Sequence, residues 1–149
     1  MALTWNEIRK RSIEFSKEWE NESREEAEAK SFWDGFFDVF RVPRRKVATF
    51  EEPVKNLKGN QGFIDLFWKG VLLVEHKSKG KSLDKASSQA FDYIQQLDNE
   101  ITPKYVLISD FENFRFYDLE STKEKFVEFK LRELHKILNI LVLLQDLKK

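Results

Sequence analysis

The stretch Gly62-Phe63-Ile64-Asp65-Leu66-Phe67-Trp68-Lys69-Gly70-Val71-Leu72-Leu73-Val74-Glu75-His76-Lys77 decides how this chain reads. Two mainly apolar runs, Gly62 to Trp68 and Val71 to Lys77, flank a Lys69-Gly70 turn signal, the pattern of a β-hairpin. Asp65 interrupts the first run and a Glu-x-Lys ends the second. Strand side chains alternate between faces, so Leu73, Glu75 and Lys77 share one face, and Leu72, Val74 and His76 the other. A two-residue turn would set Asp65 against Val74, on the wrong face for Glu75. The two carboxylates meet only if the turn is bulged or of odd length. A three-residue loop, Trp68-Lys69-Gly70 with Gly70 left-handed, would pair Phe67 with Val71 and bring Asp65 level with Leu73.

The chemistry of that pairing is specific. Ionised groups inside apolar strands are costly unless they are paired or hold a cation. Two carboxylates suit a hard ion such as Mg²⁺, which keeps several waters; Mn²⁺ is a possible substitute. Such an ion polarises a phosphate and lowers the pKa of a bound water. Lys77 beside it can orient that water or neutralise charge on the phosphate. This is the arrangement of a metal-dependent phosphodiesterase. The competing reading is a charged surface hairpin, because short motifs recur by chance and the chain is 35% charged.

Outward from the hairpin, the pattern is mixed. Thr4-Trp5-Asn6-Glu7 reads as a capping box that opens a helix with Trp5, Ile8, Ile13, Phe15 and Trp19 as its apolar positions. Ser23-Arg24-Glu25-Glu26 reads as a second box, opening a helix that carries Phe32, Trp33, Phe36, Phe37 and Phe40 and ends at Pro43. Lys46 to Val54 reads as a strand in which Pro53 marks an edge or an end. Asp84 to Leu97 is an amphipathic helix, Tyr105 to Ser109 and Asn113 to Leu119 are strands, and Leu131 to Leu147 is a leucine-rich helix. The expected fold is one α/β domain over 1–149, with a central mixed sheet flanked by helices. Within it, 1–21 is an N-terminal helix, 22–119 an αβββαββ core, and 130–147 a C-terminal helix.

Composition narrows the function classes. The 149 residues carry zero net charge and no cysteine. The missing cysteines exclude disulfides and thiolate metal sites and fit a reducing, cytoplasmic setting. The neutral balance argues against a protein that merely coats DNA. No apolar run is long enough to span a membrane. A nucleotide-cradling glycine loop and a Ser–His–acid spacing are also missing, which leaves little room for other enzyme classes.

The hairpin segments resemble the PD-(D/E)XK nuclease superfamily, and Gln89-Ala90-Phe91-Asp92-Tyr93 is similar to the Q-x-x-x-Y element of its RecB-like branch. More narrowly, Arg24 to Leu119 resembles the N-terminal domain of MmeI-like restriction–modification enzymes (type IIL, within type IIG), which have relatives in phage defence. The similarity includes Phe36-Phe37-Asp38-Val39-Phe40, Leu83-Asp84-Lys85-Ala86, and Pro103 to Phe111 with Phe114 to Leu119. It implies a restriction-endonuclease-like core and a Mg²⁺-dependent DNA endonuclease. Asp65 and Glu75 would be the metal ligands, Lys77 the catalytic lysine, and Gln89 and Tyr93 supporting residues. Glu25, Glu28 and Glu51 sit where a further carboxylate could assist, although exposed glutamates are usually solvated surface.

Two positions depart from the family pattern. His76 stands where an apolar residue is common, and Lys30 where a glutamine is common. A histidine on the far strand face is more often packed than a ligand. The resembled enzymes continue into a spacer, an S-adenosylmethionine methyltransferase and a target-recognition domain. This chain has no methyltransferase signature, so the expectation is an excised, truncated or stand-alone domain whose partners are double-stranded DNA and those domains. The leucine stripe Leu131, Leu134, Leu138, Leu141 packs on the domain or serves a homodimer. The alternative function is a catalytically silent module of the same fold that binds DNA or a partner domain.

Overall fold

The computed structural model describes residues 4–121 and 126–136. Helix α1 (Trp5–Trp19) starts at the expected capping box, where Thr4 accepts the Glu7 N–H and the Glu7 carboxylate accepts the Thr4 N–H. The second expected box does not form. Helix α2 (Glu25–Val39) has Arg24 as its N-cap and no side-chain cap. Glu22 instead takes the N–H groups of Ser23 and Arg24, since a charged acceptor outcompetes a hydroxyl. Nor does Pro43 end α2. The helix closes in a Schellman motif: Arg41 is left-handed at φ 54°, its N–H bonds Asp38 O, and the Val42 N–H bonds Phe37 O. Pro43 caps a short helix, α3 (Arg44–Val47), where a strand was expected to begin.

Among the described residues the sheet has six strands in sequence order. They are β1 (Thr49–Lys55), β2 (Gln61–Trp68), β3 (Leu72–His76), β4 (Tyr105–Ser109), β5 (Asn113–Asp118) and β6 (Phe126–Lys130). β3 and β4 are parallel, and every other neighbouring pair is antiparallel. A parallel pair needs a crossover, which helix α4 (Leu83–Gln95) and a 3₁₀ turn at Asn99–Ile101 provide. The expected α/β class and αβββαββ order are present. β6 is an addition that the sequence reading missed.

Two apolar clusters cover the two faces. One joins α1 and α2 to the sheet through Phe15, Trp19, Phe32, Trp33, Phe36, Leu66, Val74 and Phe114. The other seats Ala86, Ala90 and Tyr93 of α4 on Ile64, Phe67, Leu73, Val106 and Ile108. The expected helix from 130 begins as a 3₁₀ helix, Leu131–Lys136, with Leu131 and Leu134 buried. The Leu131 carbonyl accepts the Ser16 hydroxyl at 2.8 Å, tying this segment to α1. The remainder of the expected helix, from 137 to 147, and with it Leu138 and Leu141 of the stripe, lies outside the described residues. Among the described residues no helix is long and apolar enough to cross a membrane.

The β2–β3 connection is of odd length. The last pair before it is Trp68–Leu72, leaving Lys69, Gly70 and Val71 as the loop. Gly70 is left-handed at φ 74°. The loop sits one residue later than expected, so Phe67 faces Leu73 rather than Val71. Continued to Asp65, this register brings the aspartate opposite Glu75 itself, not level with Leu73.

β2 also changes face at Asp65. Ile64 packs with the α4 cluster while Leu66, two residues on, packs with the α1–α2 cluster. Period-two alternation would keep them together. The pairs Phe50–Leu66 and Glu52–Ile64 keep one register across β1 and β2, so Glu51 stands beside Asp65. Glu51 is left-handed at φ 54°, and both strands turn at that point.

Candidate metal centre at the hairpin fork

The backbone pairing of β2 and β3 stops at Leu66–Val74. Beyond it β3 stays with β4, through Glu75–Ile108 and His76–Ser109, and the strands diverge. Side chains bridge the fork. The Asp65 N–H donates to Glu75 Oε2 at 3.3 Å, and the His76 N–H donates to Asp65 Oδ2 at 2.7 Å. Glu75 is 1% exposed, and its Oε1 has no hydrogen-bond partner among the described residues. Burial, then the neighbouring Asp65 carboxylate, pushes the Glu75 carboxyl up to about 10. An uncompensated carboxylate pair holds a proton for the same reason that it would hold a cation.

Lys77 follows directly. Its N–H donates to Ser109 O at 2.8 Å, fixing the end of β3 against β4. Its ammonium donates to Gln89 Oε1 at 2.8 Å, and the Gln89 amide donates to the Tyr93 hydroxyl at 2.9 Å. Gln89 and Tyr93 lie one helical turn apart on α4 and therefore act on one side. Tyr93 is seated against Gly62, where an added Cβ would lie 2.5 Å from its hydroxyl oxygen. The glycine is thus the space into which the tyrosine fits.

The other expected residues are placed differently. Glu51 lines a small cavity of about 230 Å³ with Lys30, Trp33, Asp65 and His76. Its carboxylate pairs with Lys30 at 3.3 Å, and both are largely exposed. Glu28 is turned toward Arg24, 3.7 Å away. The side chain of Glu25 is outside the described set. Among the described residues no group of three or more acidic, histidine or cysteine side chains comes together as a metal cage. A two-carboxylate site suits an ion that keeps much of its water.

Sequence reasoning missed two features here. Lys77 and Lys81, visible in the sequence as part of a local basic cluster with Lys79, line an open cleft of about 790 Å³ with Ser78, Ser88, Gln89 and Tyr93, and Lys85, which was not read with them, joins them there. The recurrence of these lysines at every fourth position across a loop and a helix start was the available signal. The second is His76, expected only to pack. It does pack, at 2% exposure, and its Nδ1 also accepts the Trp33 indole N–H at 2.9 Å. Burial first, and then the charge of Lys77, lowers its pKa to about 3, so the ring is neutral. Nothing in the sequence pairs Trp33 with His76.

The family model described as MmeI, N-terminal domain, matches residues 10–149. No curated protein matches the chain. Among solved structures, the chain resembles one described as the cryoEM structure of a DrdV–DNA complex, with a TM-score of 0.55 and 13% sequence identity. That likeness covers 95% of this chain and 13% of the other. At such identity it establishes the fold, a mixed sheet with flanking helices. The chain spans only a small part of that protein's length.

Proposed function

Because the chain belongs to the family of MmeI N-terminal domains, we propose that it is the nuclease module of a restriction–modification or phage-defence system. In this reading it hydrolyses phosphodiester bonds of double-stranded DNA with a divalent cation. The observation that carries it is the buried Glu75 Oε1, left without a partner beside Asp65 at a fork that also presents Lys77.

Asp65 and Glu75 would hold Mg²⁺, or Mn²⁺ in its place. When bound, such an ion would supply Lewis-acid polarisation of the phosphate and a water of lowered pKa. The chain's own groups do the rest. Two backbone N–H groups, of Asp65 and His76, aim the carboxylates at one another. Gln89, steadied by Tyr93, holds the Lys77 ammonium at the fork. There it neutralises charge that builds on the phosphate oxygens. Lys81 and Lys85 extend positive charge along the cleft toward the phosphate backbone. Glu51 is an accessory carboxylate at most, since Lys30 already engages it. The setting would be the cytoplasm.

Incubating the chain with supercoiled plasmid and Mg²⁺ or Mn²⁺ tests the reading. Nicking should appear with wild type, vanish in EDTA and vanish in Asp65→Ala. Equal nicking by wild type and Asp65→Ala would sink it. A second reading follows from the zero net charge and the small share of the DrdV chain that is covered. The module would then cut only beside methyltransferase and target-recognition domains, as in the resembled enzymes. Silence of the isolated chain, with cutting restored by those domains, would select this version.

A further inference from the structure

We propose that His76 is a positioning residue for the cation site: held by Trp33, its ring sets the backbone N–H that orients the Asp65 carboxylate. The inference rests on the proposal that Asp65 and Glu75 hold a divalent cation.

The main-chain N–H of His76 donates to Asp65 Oδ2 at 2.7 Å. Any residue but proline could offer that N–H, so the side chain matters only through where it pins the strand. An indole N–H can only donate. The 2.9 Å contact from Trp33 Nε1 therefore makes His76 Nδ1 an acceptor and puts the proton on Nε2. Phe111, Phe32 and Trp33 enclose the ring, at centroid distances of 4.3, 5.6 and 5.9 Å. Among the described residues Nε2 has no hydrogen-bond partner. Leaving a buried donor unsatisfied costs about 1–3 kcal/mol, and an apolar side chain would avoid that cost. Packing alone thus gives no reason for a histidine. The Trp33 bond does, because it links α2 directly to the end of β3, where the strands fork. The same tautomer argues against His76 as a ligand: Nδ1 is already accepting and Nε2 carries the proton.

The test reads cation binding without DNA. Mn²⁺ is titrated into the full chain well below its melting temperature, and free Mn²⁺ is followed by electron paramagnetic resonance. His76→Leu removes the acceptor. His76→Asn keeps a carbonyl near the Nδ1 position. Trp33→Phe removes the donor but keeps a ring. Outer-shell losses in metal sites typically cost about 10- to 100-fold in affinity. Weakening of about tenfold or more is expected in His76→Leu and Trp33→Phe, with His76→Asn staying near wild type. A merely structural role would lower the melting temperature of all three and leave Mn²⁺ affinity alone, which would overturn the proposal. Should His76→Leu fail to fold, Trp33→Phe decides by itself. Wild type that binds no Mn²⁺ overturns both this inference and the cation reading. Wild type that binds Mn²⁺ without nicking DNA leaves this inference standing and turns the function toward the version that needs the further domains.

Discussion

The two faces of the sheet are built from different stock. Under α1 and α2 the wall is aromatic: Phe32 meets Trp33 at 5.2 Å and Phe114 at 6.0 Å, and Phe114 stacks on Phe129 at 5.0 Å. Under α4 the buried helix residues are mostly small, Ala86, Ser87 and Ala90, with Tyr93 at the end. Aromatic side chains bury about 150–250 Å² each and dominate core energetics. Alanines let a helix lie close and leave room at its rim for polar groups. One face therefore supplies rigidity and the other access, and β3 with the residue after it carries both through alternate positions: Val74 and His76 toward the first, Glu75 and Lys77 toward the fork.

The sharpest way to break this division is on the aromatic side. Phe32→Ala should cost about 3–5 kcal/mol in denaturant unfolding, as large-to-small core changes do. A loss below about 1 kcal/mol would mean that the wall is not the rigid half. Next comes Lys77→Ala, which should lower Mg²⁺-dependent nicking on the order of 10²- to 10³-fold, the scale for losing one electrostatic stabiliser. Its melting temperature should stay close to wild type. A matching loss of stability would move Lys77 into the structural half.

Glu75 gives a pH test. Burial, with the Asp65 carboxylate beside it, pushes its carboxyl from the ordinary 4.5 up to about 10. The folded chain then holds a proton that the unfolded chain releases, so this group's contribution to stability falls as pH rises between those values. A cation that needs the ionised carboxylate must displace the proton. Mn²⁺ affinity should rise up to about tenfold per pH unit near neutrality if one proton is released. Glu75→Gln should abolish that slope. A flat profile in wild type would mean that Glu75 is already ionised.

The smallest expected effect is at Tyr93→Phe. Losing the acceptor for the Gln89 amide removes one hydrogen bond, worth about 0.5–1.5 kcal/mol. Nicking should drop only a few-fold, with rate rather than plasmid affinity affected. No change at all would show that Gln89 holds Lys77 without help.

How much of this was legible beforehand differs from one residue to the next. The odd-length turn followed from phase alone: Asp65 and Glu75 cannot share a face otherwise. Its exact residues did not follow, because Val71 could end a loop or begin a strand with equal propensity. Gln89 and Tyr93 were visible as neighbours four apart, yet their hold on Lys77 needed the α4–β3 docking. The Glu22 acceptor that replaced the Ser23 cap is a competition between adjacent groups, which motif spacing does not rank. β6 was missed because Phe126-Val127-Glu128-Phe129-Lys130 is short and two of its five residues are charged. Its strand state comes from pairing with β5, a tertiary effect. His76 and Trp33 lie 43 residues apart, and nothing local links them.

The left-handed Glu51 carries one more consequence. β1 forms an outer edge of the sheet, and an open edge is a template on which another chain can lay a strand. The φ of 54° at Glu51 twists that edge out of line, and two residues later Pro53 has no N–H to offer. A strand approaching from solvent therefore meets a broken row of donors on the flank nearest Asp65. The same turn that separates the strands at the carboxylates guards that flank against intermolecular sheet growth.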